Sequence, residues 1–140
     1  MRTLRSNVAW ILINRDGPAY QPGSRSYERA WIRDGVLMSE ALLRLGRPEP
    51  AREFLQWYAG FLFPNGKVPC CVDSRGADAV PENDSSGEFL YGVMEYYRFT
   101  ADRSFLEAMW PKIAVAAGYV DVMRRQRMTA EFESGDRRLF

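Results

Sequence analysis

Two short clusters hold most of the side chains able to do chemistry. The first, Tyr27-Glu28-Arg29-Ala30-Trp31-Ile32-Arg33-Asp34-Gly35, sets an indole, a guanidinium and a carboxylate within a few positions of one another. Trp31 offers a flat apolar face for a sugar ring, Arg33 a rigid fork of donors, and Asp34 a pair of acceptors for vicinal hydroxyls, which is the set a carbohydrate site needs. The pattern predicts a loop just ahead of a helix, where Asp34 also suits the N-cap. The second cluster, Pro81-Glu82-Asn83-Asp84-Ser85-Ser86-Gly87-Glu88-Phe89, predicts another loop running into a helix. Asp84 or Ser85 suits its cap, and Ser85 with Glu88 would make a capping box. In an array of helical hairpins alternate helix starts lie at the same end. The two clusters should therefore converge, with Trp31, Arg33, Asp34 and Asp84 as candidate substrate-binding residues.

The rest of the composition narrows the chemistry. The chain has no histidine, which removes the commonest general base and metal ligand, so acid–base work would fall to Asp, Glu, Tyr, Arg or Cys. Cys70 and Cys71 are adjacent, a spacing that suits neither a zinc knuckle nor a C-x-x-C redox motif. They are expected as two free thiols, a vicinal disulfide being the strained alternative, and no metal or cofactor is expected. Only Lys67 and Lys112 are lysines, so the positive charge is almost wholly guanidinium, suited to polar ligands. A net charge of +1 disfavours nucleic acid as a partner. No apolar run reaches the ~18 residues of a membrane span, and no signal peptide stands out, which leaves a cytoplasmic location as the default.

The elements that must position these clusters read as helices. The 140 residues allow one core. Val36, Leu37, Ala41, Leu42 and Leu45 mark an amphipathic helix stopped by Gly46. Pro48 and Pro50 suit the first turn of the next, whose apolar face is Ala51, Phe54, Leu55, Tyr58, Phe61 and Leu62 and which Pro64-Asn65-Gly66 ends. Residues 63–84 predict one long loop with room for a short strand at 67–72, and a loop of that length is more often functional than idle. Ser86 to Thr100 is helical through Phe89, Leu90, Val93, Met94 and Tyr97. Asp102 can cap a turn carrying Phe105, Leu106 and Met109, and Pro111 fits the start of a longer helix through Ile113, Ala116 and Val120. Thr3 to Asn14 predicts a further helix, and Met128 to Phe140 has no period. Leu42-Leu43-Arg44-Leu45-Gly46 leading to Phe54-Leu55 parallels Tyr96-Tyr97-Arg98-Phe99-Thr100 leading to Phe105-Leu106, as repeated hairpins would. The expected class is all-α.

Taken in order, W-x-R-D-G, L-x-x-x-G, F-L-x-W, P-x-x-D-S-x-G-x-F and T-x-D-x-x-F-L-x-x-x-W-P resemble the N-terminal part of the six-hairpin, (α/α)6-barrel glycoside hydrolases, the glucoamylase, glycogen-debranching and trehalase-like group. The resemblance covers roughly residues 5 to 132. It implies that residues 1–132 form part of an (α/α)6 toroid, with 133–140 a tail or truncated segment. It also implies that Arg33 and Asp34 contact the sugar at the cleavage subsite and that Asp84 touches substrate. Unlike glucoamylases, the chain has no Trp between Trp57 and Trp110. In the family the general acid and base lie on middle and late hairpins, beyond the two and a half hairpins expected here, so no catalytic residue is assigned. The expectation is a fragment of a hydrolase of glucoside-type substrates, inactive alone, that associates with itself or with the remainder of a barrel. The other class kept open is a non-catalytic helical-hairpin protein-interaction module.

Overall fold

The computed structural model describes residues 2–130. The expected tail at 133–140 lies outside the described residues. Helix α1 (Arg2–Ile13) leans on the core through Val8, Ile11 and Leu12. A small antiparallel hairpin follows, β1 (Arg15–Asp16) with β2 (Ala19–Tyr20). After a 3-10 turn at Arg25–Tyr27 come β3 (Ala30–Trp31), α2 (Ile32–Arg44) and α3 (Pro48–Ala59). Strands β4 (Cys71–Asp73) and β5 (Gly76–Ala77) precede α4 (Ser85–Thr100) and α5 (Arg103–Arg127). Two helical hairpins, α2–α3 and α4–α5, stand side by side, and α2 packs most extensively on α4. This is the mostly helical, hairpin-built class expected. The core between them holds Val36, Leu42, Phe54, Leu55, Phe89 and Phe105, all buried.

Each hairpin is formed for identifiable reasons. Gly46 takes φ +70°, the left-handed conformation that ends α2, while Pro48 and Pro50 fall in the first turns of α3, where a missing N–H costs nothing. Asp102 caps α5 as expected, its Oδ1 accepting the Phe105 N–H at 3.0 Å. Close approach between helices rests on absent side chains. A Cβ at Gly92 of α4 would lie 2.7 Å from Val36 Cγ2 of α2.

Four local expectations are corrected. Residues 27–35 are not a loop before a helix: Ala30 and Trp31 pair with Val72 and Cys71 of β4, and the Ile32 N–H donates to the Cys70 carbonyl at 3.1 Å. The chain thus passes from strand to helix without a linker. α2 starts at Ile32, Trp31 occupies the N-cap position, and Asp34 sits in the first turn rather than at the cap. At α4, Asp84 is the N-cap residue, yet neither it nor a Ser85–Glu88 box supplies a side-chain cap. Pro111 lies inside one continuous α5, where it removes one i→i−4 hydrogen bond without ending the helix. Finally, the segment 63–84 holds two strands rather than one, and they complete the sheet β3-β4-β5. Among the described residues no helix is long and apolar enough to cross a membrane.

Candidate functional site

The convergence expected of the two clusters is present. α2 and α4 begin at the same end, and Arg33 in the first turn of α2 joins them: its Nη1 donates to Asp84 Oδ2 at 2.8 Å and to Glu82 Oε2 at 3.1 Å. The bonds to Asp84 and then Glu82 hold the guanidinium above its ordinary pKa. Arg33 and Asp84 stay accessible, with 43% and 47% of their side chains exposed. A pair this exposed adds little stability, so its consequence is orientation. Nε and Nη2 of Arg33 have no partner among the described residues and remain available as donors. Asp84 is turned toward Arg33, which explains why it does not cap α4. Asp34, half-buried one residue on, has no hydrogen-bond or ion-pair partner among the described residues. Two carboxylates, Glu82 and Asp84, hold the one Arg33 guanidinium, and Asp34 adds a third in the same helical turn, so acidic groups outnumber Arg33 at this end, unfavourable for a phosphate or carboxylate ligand and suited to a neutral polyhydroxyl.

Trp31 is half-buried at the margin of the same end. Its ring centroid is 6.3 Å from that of Tyr27, and the Arg29 guanidinium carbon lies 5.6 Å from the ring, so one side of the indole is already in contact with a cation. Arg29 is itself held by the β4–β5 hairpin, with Nε 3.0 Å from Asp73 and Nη2 2.6 Å from Asp78. Arg75 also binds Asp73, at 2.7 Å. Beneath, Ser85 Oγ is buried with no partner among the described residues.

These contacts define what sequence reasoning missed. Glu82 completes the hold on Arg33 and Arg29 fixes Trp31, but each gains its role only from a partner forty-nine residues away. The one signal for Glu82 was its place two residues before Asp84 in a Pro-led loop.

The clip has a pH signature. Hydrogen bonds from Arg75 pull Asp73 far below the ordinary carboxylate range, and the Val80 N–H followed by Arg29 pulls Asp78 down. Depressed folded values mean that the stability these groups contribute is fully present above the unfolded aspartate value of ~3.9 and is lost as pH falls toward the folded ones. Denaturation midpoints should therefore fall between roughly pH 4.5 and pH 2. Asp73→Asn should flatten that fall, and a slope identical to the parent's would contradict the clip.

No protein-family model matches the chain. It is 33% identical over 90 residues to the MMP endo-(1,4)-3-O-methyl-alpha-D-mannosidase of Mycolicibacterium hassiacum, an alignment covering 62% of this chain and 24% of that one. It is 25% identical over 126 residues to Trehalase 1 of Sulfolobus acidocaldarius, covering 67% of this chain and 22% of that one. A solved glycosidase structure superposes with a TM-score of 0.69 at 25% identity, over 84% of this chain and 39% of that one. The chain thus spans under a quarter of the length of the curated relatives it matches. Helical hairpins in this order, matched in sequence to a mannosidase and a trehalase and in shape to a glycosidase, make the chain a relative of the six-hairpin type glycoside hydrolases.

Proposed function

We propose that the shared end of α2 and α4 binds a sugar ring of a glucoside-type oligosaccharide, with Trp31 as its apolar platform and Arg33, Asp34 and Asp84 as hydroxyl partners. The observation that carries this is the Arg33–Asp84 contact across two helix starts, which fixes a guanidinium whose Nε and Nη2 have no partner among the described residues. The mannosidase and trehalase relatives support a glycoside as the ligand class and make trehalose and a manno-oligosaccharide the first ligands to test.

Hydrolysis by two carboxylates is the reaction of the assembly this chain would serve, and the chain alone does not perform it. A general acid needs a carboxyl pKa raised toward neutrality. Glu40, Asp73, Asp78, Asp102 and Asp121 are instead held below the ordinary range, by arginine partners or backbone N–H donors. Asp84 and Glu82 are committed to Arg33. Assays with trehalose, an α-mannoside and a chromogenic α-glucoside should give no turnover. Turnover abolished by Asp34→Asn would overturn this reading.

The apolar surface supports association. Leu37 and Met94 lie one turn to either side of the hydrogen bond from Tyr91 to Glu40 that links α2 and α4, and both are exposed, as is Phe99. Large apolar groups left in water on adjoining helices favour a partner. Sedimentation should find self-association at micromolar concentration, and Leu37→Glu with Met94→Glu should yield monomers. A parent chain that is monomeric throughout, with no response to sugar, would favour neither this surface nor the site.

A further inference from the structure

In the sheet where Trp31 pairs with Cys71, two thiols and a carboxylate come together that the sugar site leaves unused. Cys70 and Cys71 are free, buried cysteines with Sγ atoms 3.5 Å apart. Neighbours in a regular strand point to opposite faces. Here Cys70 precedes β4 and its carbonyl is tied to the Ile32 N–H, so the two thiols converge. The β4–β5 hairpin then returns the chain, and the Asp78 N–H donates to the Cys71 carbonyl at 2.9 Å. Asp78 Oδ2 comes 3.9 Å from Cys71 Sγ, and one ligand atom from each of the three residues lies within 4.8 Å of the others.

Those separations can be compared with a metal centre. Zn–S bonds of ~2.3 Å and Zn–O bonds of ~2.0–2.2 Å at tetrahedral angles place sulfurs roughly 3.8 Å apart and sulfur and oxygen roughly 3.6 Å apart. The separation between the two sulfurs, 3.5 Å, and that from Cys71 Sγ to Asp78 Oδ2, 3.9 Å, are each within a few tenths of an ångström of that, and Cys70 Sγ lies within 4.8 Å of the carboxylate. A linear two-thiolate ion would need sulfurs roughly 4.6 Å apart, which disfavours it. The carboxylate is already oriented, Oδ1 accepting from the Val80 N–H at 3.0 Å and Oδ2 from Arg29 at 2.6 Å, as supporting contacts do for metal ligands. Two thiolates and a carboxylate balance a divalent cation plus the Arg29 guanidinium. Asp78, with a side chain 26% exposed, opens the path to solvent.

We propose that Cys70, Cys71 and Asp78 bind a thiophilic divalent cation of the zinc class, with water in the fourth position. Binding releases the two thiol protons to solvent and oxidises nothing. It is independent of the sugar reading.

The test is unusually clean because the chain has two cysteines and no histidine, so a thiolate–metal signal can come only from this pair. The whole chain, reduced and kept free of oxygen, is titrated with Co2+ and then Zn2+. The expected result is a sulfur-to-cobalt charge-transfer band saturating at one equivalent and bleached by Zn2+. Competition with a chelating dye should show Zn2+ held at least roughly tenfold more weakly in Cys70→Ser and in Asp78→Asn, with unchanged circular dichroism. Absence of the band, a band that survives Cys70→Ser at full strength, or a mass two hydrogens low that reports a vicinal disulfide even after reduction would each overturn the proposal.

Discussion

Gly35→Ala should lower the melting temperature by roughly 5–10 °C, although alanine is the better helix former by ~1 kcal/mol. Gly35 is buried in the first turn of α2, and a Cβ there would overlap the ring of Phe54 on α3. The ring cannot easily retreat, being wholly buried with ring contacts to Tyr20 at 5.0 Å, Tyr58 at 5.4 Å and Trp57 at 6.2 Å. Overpacking of this kind costs ~1–3 kcal/mol or more, so it outweighs the propensity gain. Phe54→Leu in the same chain should recover part of the loss. Gly87→Ala, where an added Cβ meets nothing within 4 Å, should be neutral or slightly stabilising. Thermal melts of the parent and these three variants check this, and a Gly35→Ala protein as stable as the parent would contradict the packing that aims Arg33 and Asp34.

Arg33→Ala should weaken sugar binding by roughly 10–100-fold, the usual loss for a charge-assisted hydrogen bond. The same change leaves Glu82 and Asp84 facing each other without their shared cation, so Asp84 is also released from its position. Arg33→Lys restores the charge but not the fork, since an ammonium cannot hold two carboxylates and keep two further donors in plane. It should recover only part of the affinity. Because the pair is exposed, the melting temperature should hardly move in either variant. Calorimetric titration beside thermal melts separates the effects: a loss of fold with a loss of affinity would point to a structural ion pair instead.

The helices were legible because their signals are local. Apolar spacing in Ala51 to Tyr58, the left-handed stop at Gly46 and the cap at Asp102 need no distant partner, and each stands as the sequence implies. The sheet was not legible. Its strands are two or three residues long, too short for alternation to register, and Ala30–Trp31 is a strand only because Val72 and Cys71 lie beside it. That missed pairing misplaced the start of α2 and gave Asp34 a capping role it does not have. The likeness between the two helical hairpins did convey that α2 and α4 begin together, so Arg33 could be set near Asp84 before Glu82 or Arg29 had any visible part. The metal-like trio was hidden for the same reason as the sheet: adjacent cysteines mean little until the hairpin returns Asp78 to them.

The two helix starts are proposed to form one sugar site. It is tested most directly by nuclear magnetic resonance of the whole chain, following the Trp31 indole and Arg33 Nε–H signals during titration with trehalose, a manno-oligosaccharide and a glycosidase-inhibiting iminosugar. Both signals should shift together and saturably with at least one of these, and Asp84→Asn should weaken the response at both. Signals that stay unmoved with every sugar, or that shift equally in the Arg33→Ala and Asp84→Asn chains at whichever of the two remains, would contradict it.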